Sequence, residues 1–247
     1  MGMYLSLRGI GYKYGQNTPL PPTKKMSKIE FIGRTWLEMM VCFLMVDAVE
    51  TFWENMVPSN NNNISIFDQS RPWWERYLLS TAIHVGMCAV LYGAINFSYL
   101  LLSLIGVVIL GHSPSNCPPA FLNILQAGSL REGWGTYWQQ FIRRTFLVSG
   151  GYPCGWLAEF LGFKRKYGYI FGSFLASGLF HELPLRGMLD DYRFDWRITA
   201  FFVLNAMCIG MEEIWTKMTK MRVKGWPGRI WCAVILFGAG QYMFCTY

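Results

Sequence analysis

The sequence predicts an all-α protein, a polytopic bundle of membrane helices, and three observations carry that expectation. Of 247 residues, 53% are hydrophobic and only 15% charged, against about a quarter charged in soluble domains. Residues 77–130 contain no Asp, Glu, Lys or Arg, and a second uncharged run covers residues 230–247. A bilayer core about 30 Å thick is crossed by about 20 apolar helical residues. The first run alone therefore has room for more than one span.

The net charge of +7 does not read as a nucleic-acid face. Its cations sit in short clusters between apolar runs: Lys24, Lys25 and Lys28; Lys164, Arg165 and Lys166; then Lys217, Lys220, Arg222, Lys224 and Arg229. Positive charge flanking spans is what the positive-inside bias and anionic headgroups produce. The partners expected are a lipid bilayer and no nucleic acid. The seven cysteines (Cys42, Cys88, Cys117, Cys154, Cys208, Cys232, Cys245) show no CxxC pairing and lie mostly in apolar segments, so they read as small buried hydrophobes. With three histidines at no ligand spacing, no metal site is expected.

Taken in order, residues 1–30 are polar and rich in Gly and Pro, without helical period or the features of a signal peptide. Insertion is expected to rely on the first span, Trp36 to Val57, which carries Glu38, Asp47 and Glu50. Such acids are costly in hydrocarbon unless they face protein or water. The loop PSNNNNISIFDQSRP comes next and holds an Asn63-Ile64-Ser65 sequon, usable if the Lys24–Lys28 side is cytosolic. The uncharged run from Tyr77 reads either as two helices broken near Gly93–Asn96 or as one long helix; both faces are apolar, so periodicity leaves both readings open. HSPSNCPP at 112–119 ends it. SLREGWGTYWQQFIRR at 129–144 is amphipathic and Trp-rich, suited to the membrane interface. Tyr167–Leu183, Ile198–Met218 and Gly228–Phe244 bring the expected count to six or seven membrane helices.

The third histidine is the candidate for chemistry. At 1.5 Å per residue, His181 lies about 21 Å beyond Tyr167, some two thirds of the way across the core. Pro184 disfavours helix at Leu183, which assigns Glu182 and Arg186 to the helix end and the segment after it. Glu182 points about 100° away from His181 around a helix and is not an obvious partner for its ring. Gly168, Gly172 and Ala176, and likewise Ser173 and Ser177, recur every four residues, a spacing that lets a neighbouring helix approach closely. His181 is then either a core histidine satisfied by one hydrogen bond or a neutral base able to take a proton from an alcohol. The residues alone leave both open. His84 has no polar cluster beside it and reads as core; His112, in a Pro-containing loop, reads as solvated. The chain has no GxSxG, HExxH or GxxxxGK[ST] motif, which removes several other chemistries.

Four stretches, in order, resemble the membrane-bound O-acyltransferases in their wax-synthase-like branch. SLRGIGYKYG at 6–15 looks like that branch's RGIGWNW motif. CPPAFLNILQAGSLREGWGTYWQQFIRR at 117–144 looks like its WPPLFGS…SLREFWGRRWHQxxR block. FLASGLFHE at 174–182 is similar to F…SGLLH, and MCIGMEEIW at 207–215 to a late acidic helix. The resemblance implies an MBOAT-like fold and transfer of an acyl group from acyl-CoA, a co-substrate rather than a bound cofactor, to the hydroxyl of a lipophilic alcohol. The chain is similar to fungal terpenoid acetyltransferases, and this resemblance makes acetyl the expected group and secondary metabolism the expected setting. Long-chain wax or sterol ester synthesis is the alternative.

By resemblance His181 is the catalytic base, and Gln139, next to Trp138 in the chain, is a second catalytic candidate at the position where fungal relatives usually carry His and plant relatives often Asn. An amide there can donate to the developing oxyanion, an interaction worth about 3 kcal/mol, or orient the alcohol. Trp134, Trp138 and Ser177 are the expected substrate-binding residues. Gly133 and Thr136 replace a bulky and a basic residue of the block. Family members carry further membrane helices before the RGIG motif, which here begins at residue 8, so the expectation is a single domain over 1–247 short of those helices, in the endoplasmic reticulum membrane. A non-catalytic membrane scaffold is the reading from a second class. A small transporter is the third, resting on Glu38, Asp47, Glu50, Glu212 and Glu213 alone.

Overall fold

The computed structural model describes residues 26–56, 71–138, 140, 142–188 and 196–243. The RGIG stretch, the Asn63 sequon, Gln139 and Cys245 lie outside the described residues. Every regular element among the described residues is helical. They fall into two compact units, formed by the described parts of 20–120 and of 121–243.

In the first unit, α1 (Lys28–Met56) and α2 (Trp73–Val108) pack as a pair. The Ser27 hydroxyl accepts the Glu30 N–H at 3.2 Å and starts α1, and Arg34 pairs with Glu38 one turn on, at 2.9 Å. The sequence left α2 undecided between two helices and one; it is one, of 36 residues. Gly93 does not break it, because its missing side chain is where α1 fits: a Cβ there would stand 2.8 Å from the Met45 methyl. Burial against α1 offsets the cost of about 1 kcal/mol for glycine inside a helix. At 1.5 Å per residue α2 is about 54 Å long. Gly111, at φ +70°, ends it, with the His112 N–H returning to the Gly106 carbonyl at 2.9 Å, a glycine-dependent stop.

In the second unit the block at 129–144 is not one amphipathic helix. It forms the single turn α3 (Leu130–Glu132), a π-helical turn at Gly133–Tyr137, a bend, and α4 (Arg143–Phe146). Another π-helical turn, Leu147–Gly151, joins α4 to α5 (Tyr152–Phe160). Then come α6 (Arg165–Met188), α7 (Arg197–Thr219), α8 (Gly225–Ala233), a third π-helical stretch at Val234–Ala239, and α9 (Gly240–Met243).

The four-residue stripe on α6 acts as its spacing suggests. A Cβ on Gly168 would meet the Cys154 carbonyl oxygen at 2.2 Å, and one on Gly172 the Gly150 carbonyl oxygen at 2.2 Å. Backbone lies against backbone there. One expectation fails: α6 continues through Pro184 to Met188. Its last part is tied to α7 by Glu182, a tertiary contact that the local preference before proline does not contain.

Of the described helices, α2 and α7 are long and apolar enough to cross a membrane by themselves. α1 and α6 have the length, with 29 and 24 residues, but charged side chains are spread along α1 and gathered at the two ends of α6. The cysteine reading holds for Cys42 and Cys208, which are buried, and fails for Cys88, which is exposed on α2. His84 is buried and His112 half-buried rather than solvated.

Candidate functional site

The candidate site lies within the second unit, on the facing sides of α6 and α7. Phe174, Ser177 and His181 occupy positions i, i+3 and i+7 of α6 and so share one face. On α7, Ile198, Phe202, Asn205, Ile209 and Glu212 repeat at spacings of three and four, and all five are buried. The His181 ring lies flat on Phe202, with centroids 5.1 Å apart and planes 7° from parallel. The Phe180 ring stands edge-on to it at 5.6 Å. His181 is half-buried, and no described residue hydrogen-bonds its ring. The core-histidine reading required such a bond.

Glu182, about 100° further around α6 as its sequence position requires, reaches the start of α7 rather than the His181 ring and is fully buried at 0% exposure. One carboxylate oxygen accepts the Trp196 N–H at 2.7 Å; the other accepts the Thr199 N–H at 3.3 Å and the Thr199 hydroxyl. Trp196 precedes α7 in a left-handed conformation, φ 63°, which side chains other than glycine rarely adopt. The carboxylate thus supplies an end cap from another helix to the orphan N–H groups of α7, and it complements the helix dipole. Glu182 is structural, and it fixes α7 at the level of His181.

The aromatic wall beside His181 is built from the Trp-rich block. Ser129 accepts the Glu132 N–H at 3.1 Å and Glu132 accepts the Gly128 N–H at 2.9 Å, the exchange of a capping box displaced by one residue. Glu212 of α7 adds a second cap, accepting Leu130 N–H at 2.8 Å, Arg131 N–H at 3.1 Å and the Trp231 indole N–H at 3.1 Å. So anchored, the π-helical turn directs Trp134 between α6 and α7. Its ring meets Phe174 at 5.7 Å, Phe202 at 5.8 Å and Trp138 at 5.9 Å, and Trp138 meets Phe121 at 5.3 Å. The Trp134 N–H donates to Asn205 Oδ1 at 3.0 Å. Trp134 can therefore offer a ligand only its ring.

Of the residues the sequence singled out, His181 and Trp134 both meet the Phe202 ring, Trp138 lies one ring further out, and buried Ser177 stands one turn before His181 on α6. Sequence reasoning missed Asn205, Phe202 and Gln140. Gln140 is buried; its amide donates to the Trp138 carbonyl at 2.7 Å and the Trp134 carbonyl at 3.3 Å, and accepts from Arg143 at 3.1 Å. It shapes the bend after Trp138. The only signal for Asn205 was a lone amide in the apolar run RITAFFVLNAMCIG, and an unpaired amide there would be costly.

Three of the five acids that suggested a transporter have structural partners: Glu38 pairs with Arg34, and Glu212 and Glu213 are bound within the second unit. Glu212 is the cap just described. Glu213 collects Arg131 at 3.1 Å, Lys217 at 2.9 Å, Lys166, and the Tyr167 hydroxyl at 3.0 Å.

The description "Membrane bound O-acyl transferase family" matches residues 117–204. The chain is 28% identical over 68% of its length to the "Probable long-chain-alcohol O-fatty-acyltransferase 6" of Arabidopsis thaliana, covering 49% of that protein. It is 22% identical over 80% of its length to the acetyltransferase sirH of Leptosphaeria maculans, covering 49% of it. To the acetyltransferase eriL of Hericium erinaceus it is 27% identical over 87% of its length, covering 56% of it. The chain thus spans about half the length of these curated relatives. No solved structure matches it. The matched residues 117–204 hold Trp134, Trp138, Ser177 and His181, and over that segment the chain is similar to the membrane-bound O-acyltransferase family, as over a longer stretch it is similar to a plant long-chain-alcohol fatty-acyltransferase and to fungal acetyltransferases.

Proposed function

We propose that this chain is a multi-pass O-acyltransferase of the endoplasmic reticulum membrane. It moves an acyl group, acetyl in the first instance, from CoA to the hydroxyl of a lipophilic alcohol such as a terpenoid of secondary metabolism. The observation that carries the reading is His181: an imidazole in an aromatic wall, inside the segment that matches the family, without a hydrogen bond to any described residue. A ring nitrogen takes the alcohol proton as the oxygen attacks the thioester carbonyl carbon. The C–S bond then breaks, and the departing thiolate recovers the proton from the imidazolium. The thioester is already activated, so no covalent enzyme intermediate is required. Gln139 is assigned the oxyanion, or the orientation of the alcohol. Trp134, Trp138 and Ser177 line the acceptor side, the two indoles through their rings.

The fatty-acyltransferase relatives favour a second reading, a long-chain wax or sterol ester synthase with the same base. One experiment separates them. Membranes from a host without such enzymes, carrying the wild type or His181→Ala, are given labelled acetyl-CoA or palmitoyl-CoA with a panel of lipophilic alcohols. Acetyl ester from the wild type, reduced at least a hundredfold in the variant, is expected. Palmitoyl ester alone selects the second reading. Equal turnover in both proteins removes His181 as the base, and no ester from well-expressed wild type favours a non-catalytic scaffold.

A further inference from the structure

His181 has three neighbours that could set its ring, and two of them are aromatic. Glu182 faces away. No described residue holds a ring nitrogen, so hydrogen bonding within the described structure does not fix the plane of the imidazole. Phe202 does so by contact, at 5.1 Å between centroids and 7° between planes, while Phe180 meets the ring only by its edge. Phe202 is itself held on two sides. Phe201 stands across it at 5.5 Å, and the Trp134 ring lies against it at 5.8 Å, locked through its N–H to the fully buried Asn205. Asn205 cannot turn freely, because its other end donates to the Phe201 carbonyl at 2.9 Å.

We propose that Phe202 is a positioning residue for His181. Backed by the Asn205–Trp134 clamp, its flat face fixes the plane of the imidazole and leaves both ring nitrogens available. The inference rests on the reading of His181 as the base. A base held through one ring nitrogen has only the other left to react, whereas one held through its face keeps both. Proton transfer depends steeply on alignment at hydrogen-bond distance, so loss of the flat support lowers turnover more than it weakens substrate binding.

The test uses full-length protein in membranes and two readouts. Phe202→Leu removes the flat face, Phe202→Tyr keeps it, and Phe202→Met serves if the leucine variant does not accumulate. Esterification is expected to show kcat reduced at least twentyfold in Phe202→Leu with acceptor KM within about twofold, and near wild-type kcat in Phe202→Tyr. Independently of activity, diethyl pyrocarbonate, which acylates a neutral imidazole nitrogen, is followed at the His181 peptide by mass spectrometry. Its rate is expected to change at least threefold in Phe202→Leu and to return to the wild-type value in Phe202→Tyr. Equal reagent rates in wild type and Phe202→Leu overturn the proposal. So does an unchanged kcat in Phe202→Leu when His181→Ala is inactive. If His181→Ala remains active, the functional reading fails, and the reagent rate still decides whether Phe202 holds the ring.

Discussion

At the start of α7 the carboxylate of Glu182 receives two backbone N–H groups and one hydroxyl, all neutral, with no solvent in reach. Toward its far end Glu213 receives Lys166, Lys217, Arg131 and a phenol, and the three cations are about half exposed. One acid is paired with dipoles in a dry interior, the other with whole charges at a wet rim. Exposed ion pairs are each worth a few tenths of a kcal/mol to about 1 kcal/mol and can be exchanged. Buried N–H groups deprived of their acceptor have no water to replace it. The end of α7 beside His181 is therefore the less tolerant one, although it carries less charge.

Four substitutions test that contrast, in order of decreasing effect. Glu182→Ala strands the Trp196 and Thr199 donors and is expected to cost about 3–5 kcal/mol, read as loss of folded protein or a large fall in Tm in detergent; Glu182→Gln, which retains an acceptor, should recover part of it. Glu212→Ala strands Leu130, Arg131 and Trp231 and is expected to cost about 2–3 kcal/mol. Because Glu212 anchors the Trp134 turn, esterification should fall with it. Glu213→Ala is expected to cost about 1 kcal/mol, and the loss should shrink in high salt; a deficit independent of salt would contradict the rim description. Lys220→Gly, just after α7 where φ is 60°, is expected to stabilise by about 0.5–1 kcal/mol, raising Tm by a degree or two. A fall in Tm would mean that the lysine side chain does more there than tolerate its backbone.

How far the sequence disclosed these arrangements depended on whether the relevant partner was local. The helical class was legible because composition is a property of the whole chain, and His181 and Trp134 because they stand in motifs. That Glu182 turns away from His181 followed from helical geometry alone. Its actual partners, Trp196 and Thr199, are 14 and 17 residues on, beyond any local rule. The continuity of α2 could not be read because both of its faces are apolar, and Gly93 signals a break unless its neighbour Met45 is known. The π-helical turns escaped for another reason: a period of 3.6 was assumed, and a turn of a different pitch moves Trp134 to a face that this period does not predict. Asn205 and Gln140 were single amides without a pattern, meaningful only once burial required each to be paired.

The backbone contact between Gly172 and Gly150 lies nine residues before His181 on α6, about 13.5 Å along the axis. The two backbones touch there with no side chain between them to yield, so under added bulk the contact works as a fulcrum. Any bulk added there would tilt α6, and the far arm of that lever carries the histidine. The direction of the His181 ring is thus set partly by atoms that are absent, nine residues away along the helix.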